Sequence, residues 1–84
     1  MKYALFVERY AQKQIMKLDK SIIPVLKRAI AKLSDNPRPP GYIKLKGEEA
    51  YRIRVRDFRI IYEIDDMKKT VTVVAIGHRK NIYK

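Results

Sequence analysis

The chain has 84 residues, of which 20 are Lys or Arg and 9 are Asp or Glu, giving a formal net charge of +11. That length fits a single small domain over residues 1–84 with one modest core. The absence of cysteine excludes disulfide frameworks, thiolate zinc sites and cysteine nucleophiles. So much charge on so small a body repels itself and points to a polyanionic partner, nucleic acid ahead of acidic protein.

Lys2 to Val7 is apolar and aromatic and reads as a first strand. Glu8 and Arg9 interrupt it, so the N-terminus does not read as a signal peptide. No run approaches the ~20 apolar residues of a membrane span. A soluble cytoplasmic protein with no membrane partner is expected. From Glu8 the period becomes helical, with Tyr10, Gln14, Leu18 and Ala11, Ile15 recurring, and a first helix is predicted to about Leu18. Ser21 is the candidate N-cap of a second helix, with Pro24 in its first turn. Ile22, Leu26, Ala29, Ile30 and Leu33 form that helix's apolar stripe. Asn36-Pro37-Arg38-Pro39-Pro40-Gly41 ends the helix in a stiff surface connection. Period two follows. Strands are expected at Tyr42 to Lys46, Ala50 to Arg56, Phe58 to Ile64 and Thr70 to Ile76, where Gly77 stops the last. The order strand–helix–helix–four strands predicts an α+β domain whose helices cover one face of a mainly antiparallel sheet. The other face must then be solvated or bind something.

Tyr51-Arg52-Ile53-Arg54-Val55-Arg56 alternates without error. Tyr51, Ile53 and Val55 belong to the core face, so Arg52, Arg54 and Arg56 share the open face. A tight turn at Arg56-Asp57 pairs Val55 with Phe58, Ile53 with Ile60, Tyr51 with Tyr62 and Arg54 with Arg59. A four-residue loop would keep this register and a three-residue loop would shift it. Like charges directly opposite destabilise a sheet, and the guanidinium fork matches phosphate oxygens. This face is therefore the candidate anion site. Lys44 and Lys46 either extend it or guard an edge strand.

Gly77-His78-Arg79-Lys80 follows a strand end, a rigid place for a functional group. His78 is the one histidine, and by side-chain type the best general acid or base. The commoner role of a lone histidine is that of a polar surface residue. Tyr83 either pins the tail, stacks on a base or transfers a proton. No Gly-rich phosphate loop, convincing carboxylate pair or metal-ligand cluster is present in the sequence, and no cofactor is expected. Cleavage of RNA by its own 2′-hydroxyl fits what remains. It needs a base, cations for the phosphorane and an acid for the leaving oxygen.

The helical first half, Lys44-Leu45-Lys46-Gly47, the run Tyr51-Arg52-Ile53-Arg54-Val55-Arg56-Asp57-Phe58-Arg59-Ile60-Ile61-Tyr62 and the ending Ile76-Gly77-His78-Arg79-Lys80 resemble the RelE/ParE toxin superfamily over essentially the whole chain. The tail with Arg79 and Tyr83 places the resemblance nearer the RelE branch. The resemblance implies a toxin of a type II toxin–antitoxin pair with an acidic, RelB-like antitoxin. It also implies an enzyme that cuts mRNA in the ribosomal A site without metal. It implies that Arg52, Arg54, Arg59, Arg79 and Tyr83 are catalytic. Lys44, Lys46, Arg56 and Lys80 are expected to bind RNA around them. Some relatives carry lysine where Arg52 and Arg54 stand. Arginine cannot give up its proton, so the base role moves to Tyr83 or His78. A ParE-like gyrase inhibitor and a non-catalytic RNA- or ribosome-binding module are the alternatives.

Overall fold

The computed structural model describes residues 2–45 and 49–78. Its elements are β1 (Ala4–Val7), α1 (Arg9–Met16), α2 (Ile23–Asp35), β2 (Ile43–Lys44), β3 (Ala50–Val55), β4 (Phe58–Asp65) and β5 (Thr70–His78). The five strands form one mixed sheet in the order β1-β5-β4-β3-β2. β1 is parallel to β5 and the other pairs are antiparallel. Both helices lie on one face, as expected for the α+β class. Ala11 and Ile15 of α1 and Leu26, Ile30 and Leu33 of α2 pack there against Ile60, Tyr62 and Ile76. Among the described residues no helix is long and apolar enough to cross a membrane.

The helix ends differ from the sequence reading for local reasons. α1 stops at Met16 because Lys17 and Leu18 donate their N–H groups to Gln14 and Ile15, three residues back, which tightens the last turn. Arg9, Lys13 and Lys17 are exposed and four residues apart, opposite the buried Ala11 and Ile15. Like charges at that spacing cost an isolated helix about 0.2–0.5 kcal/mol per pair. Ser21 does not cap α2. Ile22 occupies the N-cap with no side-chain hydrogen bond, because Asp19 takes over the turn: its Oδ1 accepts the Ser21 N–H (3.1 Å) and its carbonyl the Ile22 N–H (3.0 Å). Pro24 does sit in the first turn, where its missing N–H is no loss.

Gly77 does not stop β5. The strand continues to His78 because β4 still offers partners, with Arg59 opposite Gly77 and Phe58 opposite His78. A bulge lies between Ile61 and Tyr62. Ile61 pairs with Ala75 and Tyr62 with Val73, so Val74 is the extra residue. The bulge resets the alternation and lets Val71, Val73 and Ile76 all reach the core.

The proline connection is tied to the sheet. The Tyr62 hydroxyl donates to the Pro37 carbonyl (2.7 Å). Arg38 makes a two-pronged ion pair with Asp66 (2.9 and 3.3 Å) and lies over the Tyr51 ring. The Tyr3 hydroxyl also donates to Asp66 (2.7 Å). The Arg38 guanidinium first, and then the Tyr3 hydroxyl, hold the Asp66 carboxyl down at about 2. A depressed carboxyl contributes stability that is present above its unfolded pKa of about 4 and is lost as the pH falls through the folded value. Urea unfolding between pH 2 and 7 should therefore show a smaller loss of stability on acidification for Asp66→Asn than for the wild type. Equal slopes would remove Asp66 from the acid response.

Candidate nucleic-acid interface

The hairpin of β3 and β4 closes through the two-residue turn Arg56-Asp57, with Val55 opposite Phe58, Ile53 opposite Ile60 and Tyr51 opposite Tyr62. Those residues belong to or pack on the core beneath the helices. Arg52, Arg54 and Arg59 consequently project from the other face. Arg54 and Arg59 are directly opposite. The pair beside a two-residue turn is hydrogen-bonded, which makes Arg54 and Arg59 the closer kind of pair, with Cα atoms ~4.5 Å apart.

Two rows of residues across the sheet build the site. The first runs Gly77, Arg59, Arg54. Gly77 brings no side chain to the space beside Arg59. At the far end β2 reaches only Tyr51 and Arg52 of β3, so no strand flanks Arg54 there, and it is exposed. The second row is Ala75, Ile61, Arg52, Ile43. Ile61 is only 8% exposed, so this face is not simply solvated. Arg52 and Arg59 are half-buried with their Nε atoms out of solvent. A third row, Phe6, Thr72, Glu63, Ala50, changes the sign of the charge. The face is cationic at the hairpin end and acidic beyond it. An anion is thereby directed to the arginines, whose planar guanidinium geometry matches phosphate oxygens.

Two sequence candidates are not brought to this face. His78 stands opposite Phe58, and their rings meet edge-on with centroids 5.8 Å apart. It is therefore on the helix side, away from Arg54 and Arg59. Lys44 stands opposite Tyr51 and also points to the helix side, while Ile43 joins the arginine row. Lys46, Arg79, Lys80 and Tyr83 lie outside the described residues. Gly77 and Ile61 border the candidate site beside Arg59 and Arg52, and the sequence reading does not single them out for it. An available signal for Ile61 is its apolar character at an open-face position of β4, which breaks the alternation there. Among the described residues no group of His, Cys, Asp and Glu converges as metal ligands.

Arg56 is exposed at the tip of the turn with φ +56, in the left-handed region. An L-residue there is strained by about 1–2 kcal/mol, of which glycine would recover part, less its own entropy loss. Arg56→Gly is expected to raise stability by about 0.5–1 kcal/mol in urea unfolding. If Arg56 contacts phosphate, the same variant lowers the salt slope of RNA binding by about 0.7. Lower stability would contradict the strained turn.

Residues 5–83 match the family described as the ParE toxin of the type II toxin–antitoxin system parDE. The chain is 35% identical over 83 residues to a RelE-like toxin protein of Escherichia coli, covering 95% of this chain and 86% of that one. It is 30% identical, with the same coverage, to the mRNA interferase toxin RelE of Escherichia coli strain K12. The toxin–antitoxin complex RelBE2 of Mycobacterium tuberculosis superposes with a TM-score of 0.80 at 27% identity, over 94% of this chain and 100% of that one.

Proposed function

Because the chain belongs to the RelE/ParE toxin superfamily of type II toxin–antitoxin systems, we propose that it is a cytoplasmic, ribosome-dependent endonuclease that cuts mRNA in the A site. The opposed Arg54 and Arg59, with Arg52 beside them on one open face, carry this reading. Two of its relatives bear the name mRNA interferase, which supports it.

The proposed reaction needs no metal. The ribose 2′-oxygen attacks phosphorus and the bond from phosphorus to the 5′-oxygen breaks. The products are a 2′,3′-cyclic phosphate and a 5′-hydroxyl. The 2′-OH proton leaves to a base, and the departing oxygen gains one. Arg52, Arg54 and Arg59 hold the phosphate and neutralise the phosphorane, whose charge exceeds that of the ground state. None of them can serve as base. His78 faces the helix side beside Phe58, so proton transfer falls to Tyr83 and support of the leaving group to Arg79, on the strength of the family resemblance. An acidic antitoxin segment would cover the arginine face and silence it.

A 2′-deoxy nucleotide at the scissile position of an mRNA on programmed ribosomes should abolish cutting at that site, because the nucleophile is gone. Continued cutting there would exclude the mechanism. The ParE description of the family favours a second reading, inhibition of DNA gyrase. It would be supported by loss of gyrase supercoiling with intact mRNA.

A further inference from the structure

We propose that the outer face of α1 is a second RNA-binding surface, one that grips the phosphate backbone of folded RNA on the side of the molecule away from the arginines. The inference deepens the RNA reading and rests on it. Arg9 and Lys13 of α1, with Lys17 at its C-cap, form a cationic line at four-residue spacing, about 6 Å of helix axis per step. It lies opposite the buried Ala11 and Ile15. The first turn of α1 contains no acidic residue. The ion pairs among the described residues are Lys2 with Asp35 and Arg38 with Asp66, so none of the three cations is neutralised by a described carboxylate. On α2, Arg28 and Lys32 repeat the pattern, exposed and turned from the buried Leu26 and Ile30.

A line of like charges on a short helix works against the helix. Solubility alone would be served by mixed charges. A polyanion removes the repulsion and gains from counterion release. Tyr10, 63% exposed and one turn before Lys13, adds an aromatic face for a base or ribose. The sheet separates this surface from the arginines. The molecule measures 25 Å in its thinnest direction, about three Debye lengths at physiological salt. The two surfaces therefore bind different stretches of RNA. The arginine face takes the scissile strand, and α1 takes a folded segment that flanks it.

The test is fluorescence anisotropy of a labelled RNA hairpin of about 16 base pairs, titrated at several salt concentrations. Arg9→Ala/Lys13→Ala/Lys17→Ala, checked for retained helicity by circular dichroism, should bind about tenfold more weakly near 0.1 M salt and lower the salt slope by about 2–3. Lys13→Arg/Lys17→Arg keeps the charge and should bind as the wild type does. Unchanged affinity and slope in the triple variant would overturn the proposal. So would a wild type that ignores the hairpin, or one whose α1 cations bind polyglutamate but not RNA, which would point to an acidic protein. None of those results bears on ribosome-dependent cleavage, which is read separately by mapping mRNA ends.

Discussion

Arg54→Ala is expected to lower cleavage by about 10²- to 10³-fold, the loss typical of one transition-state donor, without lowering the melting temperature. Both halves follow from the same register. Arg54 is exposed and faces Arg59 across the ladder, so its removal relieves a like-charge contact. Relief of about 0.5 kcal/mol would raise the melting temperature of a domain this size by about 2–4 °C. Arg54→Lys keeps the charge but loses the planar fork, and should fall between the two. Single-turnover cleavage on programmed ribosomes and a thermal melt read the two effects. A stable Arg54→Ala variant with undiminished cleavage would remove this face from the chemistry. A drop of several degrees would mean that Arg54 is structural.

The largest stability effect is expected at Tyr62. Its side chain is fully buried and stacks on Tyr51, with ring centroids 5.9 Å apart. Its hydroxyl donates to the Pro37 carbonyl at 2.7 Å. Tyr62→Ala removes the ring and opens a cavity between sheet and helices, at a cost of about 3–5 kcal/mol. A domain of this length has about 4–13 kcal/mol in total, so that loss takes about a quarter or more of its stability. Tyr62→Phe keeps the ring and leaves the Pro37 oxygen without its donor, costing about 1–2 kcal/mol. Burial pushes the phenol up to about 12. A phenol raised in the fold contributes stability that is present below its unfolded pKa of about 10 and is lost as the pH rises through 12. Wild-type stability should fall over that window, and the Phe variant should lack the Tyr62 share of the fall. A Phe variant as stable as the wild type would mean that the hydroxyl does not anchor the proline connection.

The arginine hairpin was legible because three conditions coincided. β3 alternates without error, the turn is two residues long, and every core pair is apolar on apolar. Together they left one register, and it placed Arg54 opposite Arg59. The far side of the sheet was less legible. Gly77 looks like a terminator in isolation, yet the length of β4 keeps it in a strand, opposite Arg59. The bulge at Ile61/Tyr62 shifts side-chain parity by one residue, and no local signal announces it. His78 has the right chemistry for a proton carrier, but its neighbours are set by pairing with Phe58, a contact distant in sequence. The same holds for Lys44, whose face depends on where a two-residue strand meets Tyr51. Ser21 is a good N-cap by type and loses to Asp19, which bonds the turn two residues earlier. Local preferences yield where a neighbour satisfies the same backbone group first.

The proposed acidic antitoxin would be held by the same electrostatics. A face with opposed arginines at one end and Glu63 at the other has a direction, so an acidic segment laid across it has a preferred orientation.

The measurement that tests the central claim most directly is primer extension on mRNA from a translating extract, with and without the purified protein and with and without ribosomes. New 5′ ends inside codons, present only when both protein and ribosomes are present and absent with Arg54→Ala, are the predicted result. Intact mRNA under active translation at a saturating dose of the wild-type protein would contradict it.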